Sequence, residues 1–344
     1  MKKIVVICGP TAVGKTQLAL KLAQQLQGEI ISADSQQVYR GMDIGTAKPT
    51  QEERKLVPHH LLDVVDPSEV FHAGRFVELA DAAIEDILSR GRSPFVVGGT
   101  GLYLKALLHG LCEAPLRDDR LREQLLSELE IHGAITLHKR LQTLDPDTAH
   151  QIHPHHKHRL LRALEICELT GKGPSEFFRK HQFHEQRYDA LLIGLTIDRK
   201  ELHARIDERV DRMLEQGWID EVKMLIEKYG SEVSFQAVGY RELADFFRNI
   251  SWKRVLPSAV FRPSRLARET LPEAPPTSPE LWSSERRLPE ELIASIKQQT
   301  RQYAKRQMTW FRKMPSIVWY DACVDFDILH SQVENFLKPR SPDQ

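Results

Sequence analysis

Gly9-Pro10-Thr11-Ala12-Val13-Gly14-Lys15-Thr16 decides the fold. The stretch fills every fixed position of G-x-x-x-x-G-K-[ST]. It stands between an apolar run, KIVVIC at 3–8, and a helical pattern through Leu18, Leu22 and Leu26. Glycines let the backbone turn so that successive N–H groups point inward, and the helix start adds partial positive charge. Both features suit a chain of phosphates. Lys15 supplies a cation for the terminal phosphate, and the Thr16 hydroxyl is a candidate ligand for Mg²⁺. All eight residues are candidate diphosphate- or nucleotide-binding positions; the pattern does not say which compound they hold.

Outward from this loop, strands alternate with helices. EIISAD (29–34) reads as a second strand, HHLLDVV (59–65) as a third, SPFVVGG (93–99) as a fourth and ALLIGLTID (190–198) as a further one. Residues 73–90 and 101–111 read as helices between them. This alternation predicts an α/β fold, a P-loop NTPase-like core with a mostly parallel sheet. From about 114 to 189 strands give way to charged helical segments rich in histidine, which reads as a helical insertion domain. The catalytic core is then discontinuous, 1–113 and 190–320. Leu202, Ile206, Val210, Met213, Leu214 and Trp218 predict one long amphipathic helix, and 289–313 a final helix. Residues 252–288, dense in proline, serine and arginine, read as a surface insertion.

The bulk composition narrows the classes. The chain has 344 residues, 41% of them apolar, enough for a sizeable core and too many for a wholly disordered protein. Lys plus Arg and Asp plus Glu are 48 each, so a uniformly basic nucleic-acid coat is excluded while a local basic patch is not. The apolar runs are too short for a signal-peptide core or a membrane helix, so no membrane partner is expected. Cys8, Cys112, Cys167 and Cys323 are scattered with no C-x-x-C, which fits a reduced cytoplasmic compartment.

Two local features bear on chemistry. A second Mg²⁺-site acid is expected after an apolar strand in phosphate-loop NTPases, but FVVGGTG (95–101) ends in glycines and a threonine. Phosphoryl transfer is therefore less assured than the loop alone suggests, unless Asp34 or Asp63 serves instead. Asp34 itself ends a strand, at the edge where ligands bind in open α/β sheets. With Ser35, Gln36 and Gln37 it offers a carboxylate, a hydroxyl and two amides that suit a base edge. A helix cap is the alternative role for Asp34.

Six blocks, GPTAVGKT (9–16), ADSQQVYRGMDIGTAKP (33–49), HHLLDVVDP (59–67), VGGTGLYLKALLHGL (97–111), QAVGYREL (236–243) and YAKRQMTWFRK (303–313), together resemble the bacterial tRNA dimethylallyltransferase (IPP transferase) family. They stand in order from the first strand to the last predicted helix. The resemblance implies transfer of a dimethylallyl group from dimethylallyl diphosphate to N6 of adenosine 37 in tRNA, a requirement for Mg²⁺ held at Thr16, binding of the tRNA anticodon arm, and a monomer. It implies Asp34 as the base, Lys15 and Thr100 at the leaving group, and Arg205 rather than Arg209 at the diphosphate. Thr100 also reads as a helix cap, and Arg205 and Arg209, four apart on one helix face, also read as surface ion-pair partners. The proline-rich 252–288 departs from the family, in which the GYRE block passes to the last helix by a short segment.

The resemblance further places Asp34, Ser35, Gln36, Gln37, Thr100, Arg122, His158, Arg159, Leu160, Leu161 and Arg162 against tRNA. It places Gln236, Ala237, Val238, Gly239, Tyr240 and Arg241 there too, and Lys305, Arg306, Gln307, Trp310 and Arg312 are further candidate tRNA contacts. Independently, residues 285–313 carry eight basic against three acidic residues, with Tyr303, Trp310 and Phe311 interleaved. That suits phosphate contact and base stacking, or an amphipathic helix packed by its aromatics. His150, His153, His155, His156 and His158 lack the cysteine partners and spacing of a zinc site. Three other readings stay open: a prenyltransferase of free AMP, ADP or ATP, a P-loop kinase, and a nucleotide-switched RNA-binding protein.

Overall fold

The computed structural model describes residues 1–112, 114, 115, 117–181, 185–230, 237–255 and 288–338, with 248–255 described by backbone alone. Gln236 and nearly all of the proline-rich insertion lie outside the described residues. The chain divides into two units, Met1–Leu107 with Tyr188–Gln344, and Leu108–Arg187.

In the first unit β1 (Lys3–Cys8), β2 (Gly28–Ser32), β3 (His59–His60), β4 (Ser93–Gly98), β5 (Asp189–Thr196) and β6 (Val318–Asp321) form one sheet in the order β3-β2-β4-β1-β5-β6. Every pairing is parallel. Val5, Ile7, Phe95, Val97 and Ile193 pack with Ala19, Leu22 and Ala23 of α1 (Lys15–Gln25). The alternate residues Ile4, Val6, Ile31 and Val96 are buried on the opposite face; after the short α2 (Gln51–Leu56), α3 (Ala73–Ser89) packs against β2 and β4. A parallel sheet needs both faces covered, which is why its strands are almost wholly apolar. β4 lies between β1 and β2. The loops leaving the carboxyl ends of these three strands are therefore neighbours, and they build the site.

Several elements differ from the sequence expectation. The third strand stops at His60 because Leu61 and Asp63 take positive φ of 62° and 57°. The helix predicted through Trp218 is two: α9 (Arg199–Glu215) ends, Gly217 turns at φ 96°, and α10 (Trp218–Tyr229) starts afresh. After α11 (Tyr240–Val255) and α12 (Glu290–Phe311) the chain adds β6 and α13 (Phe326–Leu337), so the helix predicted over 289–313 is not the last. Leu329 and Val333 of α13 are part of the core that includes Leu195.

The second unit holds α5 (Asp119–Leu144), α6 (Pro146–Gln151), α7 (Lys157–Thr170) and α8 (Pro174–His181), with α4 (Gly101–His109) ending at its start. α5 kinks at Gly133, where φ is 76° and ψ 161°. Its core includes Leu125, Leu137, Leu141, Leu160, Leu161 and Leu164. The buried Glu165 accepts the Asp118 N–H at 2.7 Å, and Arg122 and Arg162 are ion-paired to it at 3.5 and 3.0 Å.

Candidate active site

The phosphate loop turns through Gly9 (φ 141°), Ala12 (φ 65°) and Gly14 (φ 104°). At Gly9 a Cβ would stand 2.6 Å from the Leu195 carbonyl oxygen, so the first glycine is required by the neighbouring strand. Lys15 Nζ donates to the Pro10 carbonyl at 2.7 Å, folded back over its own loop. Burial, reinforced by the positive charge of Arg209, pushes its ammonium down to about 8, against an opposing pull from Asp34.

A pocket of about 310 Å³ opens at this loop. Thr11, Lys15 and Thr16 line it together with Asp34, Ser35, Gln36 and Gln37 from the turn after β2, Gly98 at the end of β4, Gly99 just after it, and Arg209 from α9. Ala19, Ile30, Val97, Ile206, Val210 and Met213 supply its apolar wall. Tyr303, Arg306 and Gln307 of α12 close another side. Burial pushes the Tyr303 phenol up, and the nearby Asp34 charge adds to it. All of these residues belong to the first unit.

Asp34 Oδ1 accepts the Gln36 N–H at 2.8 Å and, more loosely, the Gln37 N–H at 3.4 Å. It thus caps its own turn and not a helix, the alternative role expected for it, since residues 35–38 form a turn. A carboxylate has two oxygens, so the capping role leaves Oδ2 for other work. Thr100 Oγ1 accepts the Ser35 N–H at 3.0 Å, and the Thr100 N–H donates to the Ala33 carbonyl at 3.2 Å. Gln307 Oε1 accepts the Thr11 N–H at 2.9 Å, while its Nε2 donates to the Gly99 carbonyl at 3.0 Å.

A family model described as IPP transferase matches residues 37–314, and one described as isopentenyl transferase matches 2–64. The chain belongs to the IPP transferase family. Among its relatives, tRNA dimethylallyltransferase 1 of Pelobacter propionicus is 44% identical, with 93% of each chain covered. The tRNA dimethylallyltransferase of Anaeromyxobacter dehalogenans is 45% identical over 96% of this chain and 99% of its own. A crystal structure of the full-length tRNA isopentenylpyrophosphate transferase from Bacillus halodurans aligns with a TM-score of 0.62 at 40% identity, covering 98% of this chain and 96% of that one. A eukaryotic dimethylallyltransferase caught acting on tRNA aligns at 0.75 and 34% identity, covering 100% of this chain and 81% of its own. The IPP transferase chain is thus an enzyme of the prenyltransferase class.

The resemblance to this IPP transferase family nominated residues that the structure sorts into groups. Arg205 stands outside the pocket, its Nη2 2.7 Å from Glu201 Oε1 in a surface pair, whereas Arg209 lines the pocket. Burial pushes the Arg209 guanidinium down. The structure therefore lines the pocket with Arg209 and not with Arg205. Leu160 and Leu161 are buried in the helical unit's core and present no side chain to RNA. Arg122 and Arg162 are tied to Glu165, while His158 and Arg159 are exposed. Ala237 and Val238 line the pocket, but Tyr240 is fully buried and donates its hydroxyl to Glu221. Arg241 pairs with Glu242 at 2.7 Å. Lys305, Arg306, Trp310 and Arg312 are exposed on or just after α12, whereas Gln307 is 6% exposed. Lys297 and Arg301 are ion-paired to Asp211 and Asp207 of α9, which uses up part of the basic run.

Two supporting residues lay outside the sequence reading. Glu221 of α10 accepts the backbone N–H groups of Asp43 (2.8 Å), Ile44 (2.7 Å) and Gly45 (3.3 Å) as well as the Tyr240 hydroxyl. That buried carboxylate fixes the 43–47 turn, whose Thr46 and Ala47 carbonyls accept from Gln37 Nε2. Lys48, its side chain wholly buried, reaches Asp43 and Asp63 at 2.6 Å each and the Tyr39 carbonyl at 2.8 Å. Burial pushes the Asp63 carboxyl up, but Lys48 and Arg54 together outweigh it and hold the group below its usual range. Asp63 is thus engaged in ion pairs and does not line the pocket.

Proposed function

We propose that the chain transfers a dimethylallyl group from dimethylallyl diphosphate to N6 of adenosine 37 in tRNA, giving N6-isopentenyladenosine and diphosphate, and that it acts as a cytoplasmic monomer. One observation carries the reading: the phosphate-loop lysine, the part-buried Arg209 and the Asp34 carboxylate line one pocket that also has an apolar wall. A prenyl diphosphate needs the cations and the apolar wall; an incoming amine needs the carboxylate.

In the reaction the C1–O bond of the donor breaks and the electron pair leaves with diphosphate. Loop N–H groups, Lys15 and Arg209 stabilise the charge that builds there. The N6 lone pair forms the new C1–N bond, and the amine proton passes to Asp34 and then to water. The adenosine leaves its stack to reach the pocket. Among the described residues no group of three or more His, Cys, Asp or Glu could hold a metal. Thr16, which lines the pocket, would hold Mg²⁺ through its hydroxyl, with substrate phosphates and water as the other ligands. When bound, the ion neutralises charge on the leaving diphosphate. The exposed Lys305, Arg306 and Arg312, with His158 and Arg159 of the helical unit, are suited to RNA phosphates.

The test is a product assay. Purified protein with Mg²⁺ and dimethylallyl diphosphate is offered unmodified tRNA bearing A36-A37 or free AMP in parallel, and digested nucleosides are read by mass spectrometry. Isopentenyladenosine from tRNA alone is the expected result. Product from AMP alone moves the protein to the mononucleotide enzymes, and no product from either overturns the reading.

A further inference from the structure

α12 turns the same face inward at Thr300, Tyr303 and Gln307, all of which line the pocket. Gln307 stands apart from its neighbours Lys305 and Arg306, which are exposed, because its carboxamide is buried and doubly bonded. The two bonds have opposite polarity. Thr11 presents an N–H and needs an acceptor; Gly99 presents a carbonyl and needs a donor. Only a side chain with both, held in one plane, serves the two at once. Gly99 has no Cβ, and one there would collide with Gln307 Nε2.

We propose that Gln307 is a positioning residue that locks the phosphate loop to the loop after β4, and so fixes the leaving diphosphate relative to Asp34. The path is continuous. Gln307 joins Thr11 to Gly99; the adjacent Thr100 joins Ala33 by its N–H and Ser35 by its hydroxyl oxygen; and Asp34 lies between those two residues. The donor cradle and the proton acceptor sit on different strands, β1 and β2, and β4 between them carries the linkage. Near-attack geometry tolerates little slack, so a loop-to-loop shift of about 1 Å costs on the order of a hundredfold in rate. The role rests on the proposed prenyl transfer, and it removes Gln307 from the RNA-contacting residues.

The test compares the wild type with Gln307→Leu and Gln307→Glu. Steady-state kcat and KM are measured for both substrates, with tRNA affinity by filter binding and folding by circular dichroism. Gln307→Leu is expected to lower kcat by about tenfold to a hundredfold, with tRNA Kd within about twofold of wild type. Gln307→Glu separates positioning from bulk packing. Its carboxylate has no donor for Gly99 at neutral pH, but the neutral carboxyl has one donor and one acceptor, as the amide does. Its kcat relative to wild type therefore rises as pH falls toward the carboxyl range, while that of Gln307→Leu stays level. If Gln307→Leu fails to fold, the Gln307→Glu profile alone carries the test. Unchanged kcat with weakened tRNA binding, or a Gln307→Glu variant with no recovery at low pH, overturns the proposal. No prenylated tRNA from the wild type overturns the reading of the reaction, and the positioning role with it.

Discussion

Thr100 Oγ1 accepts the Ser35 backbone N–H at 3.0 Å, which hydrogen-bonds the end of β4 to the residue directly after Asp34. With its oxygen engaged as acceptor, the hydroxyl still has its hydrogen to donate. A donor at the bridging oxygen of a departing diphosphate is the kind of group whose removal costs about 10²–10³ in kcat. Thr100→Val, which keeps the shape and loses both roles, is expected to fall in that range, and Thr100→Ser to stay within about tenfold of wild type. Single-turnover rates at saturating donor check this.

Asp34 caps its own turn through Oδ1, so its structural and chemical duties are separable. Asp34→Asn retains an oxygen for the Gln36 N–H while losing basicity. Turnover is expected to fall by about 10²–10⁴, with tRNA affinity by filter binding unchanged. Asp34→Ala removes the cap as well, and its loss of thermal stability should exceed that of Asp34→Asn by about 1 kcal/mol.

The Lys15 ammonium, ordinarily at 10.5, lies at about 8 in the pocket because burial and Arg209 disfavour its charge. In the proposed reaction diphosphate binds the protonated form. Below pH 8 that form is present and KM for the donor is flat; above pH 8 it is lost, and KM is expected to rise by up to about tenfold per pH unit. Lys15→Arg holds its charge throughout this range and should abolish that rise. The measurement is donor KM from pH 6 to pH 10 with tRNA saturating.

Arg205 and Arg209 separate cleanly in the structure, one paired with Glu201 at the surface and one lining the pocket. Removing an exposed pair changes little, within about 1 kcal/mol. Removing a charged donor to phosphate forfeits about 1.5–3 kcal/mol. Arg205→Ala is therefore expected to leave donor KM nearly unchanged, and Arg209→Ala to raise it by about tenfold or more. Equal effects of the two substitutions would contradict the assignment.

The legible parts of this protein were the local ones. The loop at 9–16 declares itself because one short stretch supplies turn, N–H groups, cation and hydroxyl, and the apolar runs around it are strands because a parallel sheet buries both faces. What escaped depends on partners far along the chain. Nothing near Glu221 announces that it will accept three N–H groups from 43–45, and nothing near Lys48 announces its burial between two aspartates. The single long helix through Trp218 failed at Gly217, where helical spacing continues across a left-handed turn. Leu160 and Leu161 did carry a readable sign. With Leu164 they form the apolar stripe of α7, a pattern that favours a core over an RNA surface.

The strand order has a consequence for how the protein is made. β1 is hydrogen-bonded to β4 on one side and to β5 on the other, but β5 begins at Asp189, after the whole helical unit. At roughly 5–20 residues per second of synthesis, the far edge of β1 waits several seconds or more for its partner. That edge runs through Ile4, Val5, Val6 and Ile7, an apolar strand able to pair with any other exposed edge. The nascent chain is thus most prone to aggregate while the helical unit emerges. A fragment ending ahead of Asp189 keeps every residue of the phosphate loop and lacks the strand that closes their sheet.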